Sequence, residues 1–230
     1  DLSNIMLHLD RQLEGIDRSL IGALRIIEIP YSKDALSLQQ AIKEINPSVV
    51  TVIRLSLEPG SSARILELIK DGAEVLHLCA NEHGLEKADN PLFIKDRIKE
   101  IHLRLVENGV RDQITLLAGG GIAMAEHMAK VIICGADALT IDIPLLVAME
   151  CRVCRRCKAG IECPVELDKV DPLWGSERIR NLMAGWHNQL LEILGAMGIR
   201  EVRRLRGEMG RAMFFEDLEK EIFSTMGKRG

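Results

Sequence analysis

A chain of 230 residues with 47% hydrophobic side chains can bury a sizeable core, as one large domain or two small ones. Its formal charge of −4, with both signs mixed through the 28% of charged residues, excludes the basic stripe of a nucleic-acid binder. An aromatic content of 3% excludes a base-stacking surface as well. No apolar run approaches the roughly 18–20 residues of a membrane span, since the nearest, 138–149, is short and interrupted by Asp142. The start, Asp1-Leu2-Ser3-Asn4, lacks a basic or signal-like lead-in, so a cytoplasmic protein is expected, either a processed chain or an excerpt of a longer one.

Taken in chain order, residues 25–29 form an apolar run that reads as a strand covered on both faces. A helix is expected over 37–45, stopped by Asn46-Pro47, and a second strand over 50–57. Residues 61–70 carry Ile65, Leu66, Leu68 and Ile69 at helical spacing and end at Asp71-Gly72. Strands over 74–79 and 113–118 flank a helix over 92–107 that ends at Asn108-Gly109. A helix over 123–133 ends at Gly135, and a fifth strand is expected over 138–143. Such alternation means an α/β fold with a parallel sheet and right-handed crossovers. It suits an open doubly wound sheet or a TIM-type (β/α)8 barrel. Because a barrel takes eight strands and about 250 residues, five strands would be its later part. Beyond Cys163, the stretch 171–175 reads as a turn-rich linker and Ser176 as the cap of a long helix carrying Leu182, Trp186, Leu190, Leu191 and Leu194. The charged end, 200–230, reads as partly helical, with breaks at Gly207 and Gly210.

Four of the six cysteines crowd into the loop Cys151-x2-Cys154-x2-Cys157-x5-Cys163-Pro164. Without a secretion signal, that crowding points to metal or cluster binding and not to disulfides. Iron–sulfur clusters need thiolates that converge from a short irregular loop. Arg152, Arg155, Arg156 and Lys158, interleaved with them, lower thiolate pKa values and offset cluster charge. A structural zinc is the rival reading, although zinc usually takes two separated C-x2-C knuckles and only the first spacing here matches. Cys79 and Cys134 sit in apolar runs and read as inert core thiols. Three further features admit two readings each. Gly119-Gly120-Gly121, after a strand, is either a backbone cradle for a phosphate or an unoccupied tight turn. Arg54, inside an apolar strand near its C-terminal end, either points into a site or lies at the rim. His77, placed similarly in its strand, reads as a satisfied core histidine, with a catalytic one as the rival reading.

These features stand in an order that resembles the C-terminal half of the FMN-binding synthase domain of glutamate synthase, over residues 29–221. Ile45-Asn46-Pro47 precedes Val52-Ile53-Arg54-Leu55, where the family carries a flavin-contacting lysine at the position of Arg54. Val106-Glu107-Asn108-Gly109-Val110-Arg111-Asp112 is similar to the family's Val-Glu-Asn-Gly-Leu-Arg-Asp, and Gly119-Gly120-Gly121 to its Asp-Gly-Gly turn on the flavin phosphate. Gly135-Ala136 and Gly198-Ile199-Arg200-Glu201 also match, and Cys151, Cys157 and Cys163-Pro164-Val165 follow the cluster loop with one extra residue.

The resemblance implies residues 1–150 as the later part of an FMN-type barrel, 151–170 as an iron–sulfur loop and 171–230 as a helical extension. It implies Cys151, Cys157 and Cys163 as iron ligands, with Cys154 as a fourth, hence a 3Fe-4S or 4Fe-4S cluster. Arg54, Gly120 and Gly121 would meet FMN, and no catalytic residue is assigned. Electrons would pass from cluster to FMN and on to 2-iminoglutarate, formed from 2-oxoglutarate and ammonia. The implied partners are an electron donor such as ferredoxin or a reductase subunit, and a separate glutaminase subunit. Departures are visible too. The family's His-Asp-Gly-Gly-Thr-Gly-Ala loop reads Asn81-Glu82-His83-Gly84-Leu85-Glu86-Lys87, and its Gly-Phe-Gly-Thr-Ala turn reads Thr140-Ile141-Asp142-Ile143-Pro144. Asp142 sets a carboxylate near the phosphate, Gly119 replaces the family's acidic residue, and Arg54 is bulkier than lysine and holds its proton. The alternatives are a flavin and iron–sulfur relative with another substrate, and a non-enzymatic module stabilised by zinc.

Overall fold

In a computed structural model of the chain, residues 2–9 and 16–211 are described. Six parallel strands pair strictly in chain order: β1 (Met6–His8), β2 (Ile26–Pro30), β3 (Val50–Ser56), β4 (Val75–Cys79), β5 (Thr115–Gly119) and β6 (Ala138–Thr140). Helices α1 (Arg18–Ala23), α2 (Ala35–Ile45), α3 (Ser61–Lys70), α4 (Ile94–Glu107) and α5 (Ala125–Ile133) connect them. A doubly wound sheet reverses its strand order at a switch point, and this sheet does not. The architecture is therefore six βα units of a TIM-type fold.

Strand side chains alternate between two faces, and register partners in a parallel sheet share a face. Ile27, Ile29, Ile53, Leu55, Leu76, Leu78, Leu116 and Ala118 all point outward into one core. Against them pack Ile42 of α2, Ile65 of α3, and Ile94, Ile98, Ile101 and Leu105 of α4, the last set recurring at helical spacing. Each such side chain contributes about 1.5–3 kcal/mol on burial. The opposite parity faces inward and carries the polar residues: His8, Glu28, Arg54, His77, Cys79 and Thr140. The pattern thus separates a greasy outer layer from a polar inner one.

At the N-terminal end of the strands, Arg111 acts as a pin. Its guanidinium donates to the carbonyls of Ile114 and Gly135, to Asp137 and to Nδ1 of His102. Arg206 grips the other Asp137 oxygen at 2.5 Å and Asp112 at 2.9 Å. The Val106–Asp112 similarity noted above thus falls on a structural lock. Beyond the sheet, α6 (Ile143–Ala148) and α7 (Pro172–Ala196) follow. Leu194 of α7, Ile199 and Leu205 cover Ala129, Ile132 and Ile133 of α5 in a second apolar cluster. Among the described residues, no helix is long and apolar enough to cross a membrane.

Several expectations need correction. β6 stops at Thr140, because Asp142 caps a helix with Pro144 in its first turn. The stretch 171–175 is not a linker. Asp171 is the cap of α7, accepting from the N–H groups of Leu173 and Trp174, with Pro172 at the first position. Ser176 lies inside that helix and donates to the Leu173 carbonyl. Three elements were absent from the sequence reading: β1, α1 and α6. The tail 212–230 lies outside the described residues.

Candidate functional site

Three cavities mark the C-terminal ends of the strands and the loop that follows them, the face on which TIM-type enzymes carry chemistry. One, of about 490 Å³, lies over β4–β6 and is lined by His77, Gly119, Gly120, Thr140 and Asp142, with Arg155, Lys158, Cys151 and Cys157 from the cysteine loop. A second, of about 440 Å³, is walled by all four loop cysteines together with Pro164. The two share Cys151, Arg155 and Cys157. The third, about 440 Å³ over β2–β4, holds Tyr31, Arg54, Arg64 and Lys87, and Cys79 is a wall of it and of the first.

A chain of polar contacts crosses the inner face. His77 Nδ1 donates to Glu28 Oε1 at 2.5 Å, Glu28 Oε2 faces His8 Nδ1 at 2.9 Å, and His77 Nε2 lies 3.0 Å from Thr140 Oγ1. Both Glu28 and His77 are buried. Burial alone would lower the imidazole pKa, but the Cys79 sulfur and the Glu28 carboxylate outweigh it and raise the pKa to about 9. For Glu28, burial pushes upward and is overcome by the His77 bond and by the positive charges of His77, His8 and Arg54, so its pKa is lowered. Gly119 makes this possible. A Cβ there would lie 2.2 Å from Thr140 Oγ1 and 2.9 Å from His77 Nε2. His77 is thus a core histidine, as read from sequence, with its second nitrogen turned toward a cavity. Glu28 was missed. A carboxylate at the centre of an apolar strand was the signal that could have found it.

The cysteine loop is tied to the barrel by Arg155, whose guanidinium reaches Glu82 at 2.5 Å, and the helices on either side of it are joined by Arg178 of α7, which donates to the Ala148 carbonyl of α6. Cys154 and Cys157 are exposed, and Cys151 and Cys163 half-buried. The backbone N–H groups of Leu167 and Val165 lower the Cys163 thiol pKa. Among the described residues, no three His, Cys, Asp or Glu side chains converge closely enough to hold a single metal ion. The four loop thiols nevertheless wall one cavity. Cys134 is buried, its pKa raised to about 11 by that burial, whereas Cys79 is a half-buried wall residue and not a core thiol.

The residues expected at a flavin divide. Arg54 is half-buried on the inner face, and among the described residues its guanidinium makes no ion pair, which suits an anionic ring edge. Gly120 lines the cavity with His77, but Gly121 lines a separate pocket on the helix side with His83, Phe93 and Lys130. Both glycines have positive φ, +99° and +70°. Their missing Cβ atoms admit the backbone of Ala80 and Gly84 at 2.4 and 2.3 Å. Asp142 occupies the start of α6, accepting from the Ile143 N–H at 2.6 Å. Arg54 and Gly120 thus line neighbouring cavities with Cys79 as a shared wall, and Asp142 does not fit a phosphate at the α6 end.

A family profile described as "conserved region in glutamate synthase" matches residues 19–200. The archaeal glutamate synthase [NADPH] of Methanocaldococcus jannaschii is 36% identical over 136 residues, 56% of this chain and 27% of that protein. The same enzyme of Archaeoglobus fulgidus is 29% identical over 216 residues, 86% of this chain and 42% of its own length. The matched stretch therefore spans less than half of these relatives. Among solved structures, a flavocytochrome b2 variant with sulfite bound has a TM-score of 0.60 at 12% identity, covering 98% of this chain and 59% of that one. A mandelate oxidase variant with a monooxide FMN adduct has a TM-score of 0.59 at 14% identity, covering 88% and 61%. At such identities the likeness is one of fold.

Proposed function

Because the chain belongs to the glutamate synthase family, we propose that it carries the redox centre of a glutamate-synthase-type oxidoreductase. The single observation behind this is that the four-cysteine cavity and the strand-end cavity share Cys151 and Cys157. A cluster in one would lie beside a flavin in the other. Residues 151–170 would be the iron–sulfur loop between barrel and helical extension. Cys151, Cys157 and Cys163 would hold the cluster, with Cys154 as fourth ligand for a 4Fe-4S form. Arg152, Arg155, Arg156 and Lys158 would offset its negative charge. Arg54 would stabilise negative charge on the reduced flavin ring, and the Gly120 amide would face the flavin's polar edge. When bound, cluster and FMN supply electrons and a hydride for reduction of 2-iminoglutarate. The electron donor would be ferredoxin or a reductase subunit, and ammonia would come from a glutaminase elsewhere.

The test is chemical analysis and assay of anaerobically isolated protein. Iron, acid-labile sulfide and a broad brown absorption are expected, all lost in Cys157→Ser. Glutamate should form from 2-oxoglutarate, ammonium and reduced ferredoxin. Colourless protein that takes up no iron on reconstitution defeats the proposal, and zinc at one per chain without iron favours a non-enzymatic module. Asp142 favours a second reading, in which the cluster is kept but the substrate differs. Iron without flavin, and no glutamate formed, would decide for it.

A further inference from the structure

One cavity lies apart from the redox centre, on the helix side of the barrel. It encloses about 360 Å³ between the loop from β4 to α4, the turn from β5 to α5, and α5 itself. It shares no lining residue with the cavity over β4–β6. Gly121 of the turn rests on Gly84 of the loop so closely that a Cβ would lie 2.3 Å from the Gly84 backbone, so the two segments meet backbone to backbone at the cavity wall. Phe93, Ile94, Ile122 and Val131 supply an apolar surface. Phe93 is 46% exposed, an aromatic ring that the described chain leaves nearly half uncovered. The titratable side chains of the lining are all basic, His83, Lys95, His127 and Lys130, with no carboxylate among them. His127 Nδ1 accepts the Ala123 N–H at 3.2 Å, so the hydrogen of the neutral ring sits on Nε2, which can only donate. Lys95 and Lys130 pair with Asp96 and Glu126 of their own helices at 2.9 and 3.0 Å. Pairs so near solvent are weak and yield to a better placed anion.

We propose that this cavity is a binding site for a small aromatic carboxylate, whose ring lies on Phe93 and Ile122 and whose carboxylate is held by His127 and Lys130. The volume is at the lower end of the about 300–1,000 Å³ of small-molecule pockets, which admits one or two fused rings and excludes a dinucleotide. A basic lining without an acid selects an anion over an amine. The apolar surface selects a carboxylate on an apolar body over inorganic phosphate, which would lose more hydration there than these donors return. Asn81 Oδ1 accepts the N–H groups of His83 and Leu85 at 2.9 and 3.0 Å, and Glu82 between them holds Arg155 of the cysteine loop. The site therefore adjoins the redox loop through one short, internally bonded turn, while its cavity is its own. The inference goes beyond the redox proposal and does not depend on it.

The probe is 2-naphthoate, titrated by calorimetry into the full chain as isolated. One molecule should bind per chain. Lys130→Met and Phe93→Ser should each weaken binding by about tenfold or more, while Lys130→Arg, which keeps the charge, should stay near the parent. Serine suits the position before α4, so Phe93→Ser does not threaten that helix. A naphthylmethylamine, which carries the same rings with a positive group, inorganic phosphate and FMN should all leave naphthoate binding unchanged. No binding at millimolar naphthoate, parental affinity in folded Lys130→Met or Phe93→Ser, or displacement by the amine, phosphate or FMN overturns the proposal. A parent that takes up no iron yet binds naphthoate in this way defeats only the redox proposal.

Discussion

Glu28 and His77 illustrate what a single strand cannot reveal. They are 49 residues apart in sequence, and only the strand register puts both on the inner face. The buried histidine was legible from its apolar neighbours. Its partner was not, because parity across three strands is a property of pairing, not of either run. Glu28→Gln should destabilise the protein by about 1–3 kcal/mol at neutral pH, as a charged hydrogen bond becomes a neutral one. Histidine NMR should then show His77 titrating well below 9. Gly119→Ala should also destabilise, by about 1–3 kcal/mol, since its methyl would overlap Thr140 and crowd His77. A denaturant titration that finds the alanine variant as stable as the parent would refute that packing account.

At the scale of elements, the four interior strands and the helices between them were readable because burial on both faces leaves near-continuous apolar runs. The edge strand β1 has three residues, too few to establish a pattern, and β6, also of three, is found but read three residues too long. α7 was found, but its start was misplaced by five residues. Asp171-Pro172 is both a turn signal and a helix-start signal, and only the carboxylate's bonds to Leu173 and Trp174 distinguish them. Asp171→Ala should lower stability by about 0.5–2 kcal/mol, read from a urea midpoint. The loop from β4 to α4 depends on a buried fork: Glu86 accepts from Arg97 Nε at 2.7 Å and from its terminal nitrogen at 2.9 Å. Glu86→Ala would leave that guanidinium with Glu100 alone, and a loss of about 1–3 kcal/mol is expected. A smaller loss than in Asp171→Ala would show the fork to be dispensable.

For the whole molecule, the alternation of strand and helix fixed the class, yet an open sheet and a barrel remained equal until the strand order was seen. The site was half legible. The cysteines and Arg54 stand out by residue type, whereas the division of Gly120 and Gly121 between two cavities depends on how the loop at 80–84 folds over them. Stability should also carry the signature of His77. Its pKa rises from 6.5 unfolded to about 9 folded, so the stabilisation is complete below pH 6.5 and is lost as pH climbs through 9. That amounts to about 3 kcal/mol across the window, measurable as a falling unfolding free energy in the parent and a flatter curve in Glu28→Gln. One last consequence follows from the backbone of the cysteine loop. Glu150, Val153 and Arg155 all wind left-handed, with φ of 68°, 51° and 60°, a conformation that a β-branched valine adopts only under constraint. Where the loop holds the proposed cluster, removing its iron with a chelator and an oxidant should make this coil spring open first. Trypsin would then nick it at Arg152, Arg155 or Arg156 long before it cuts the barrel.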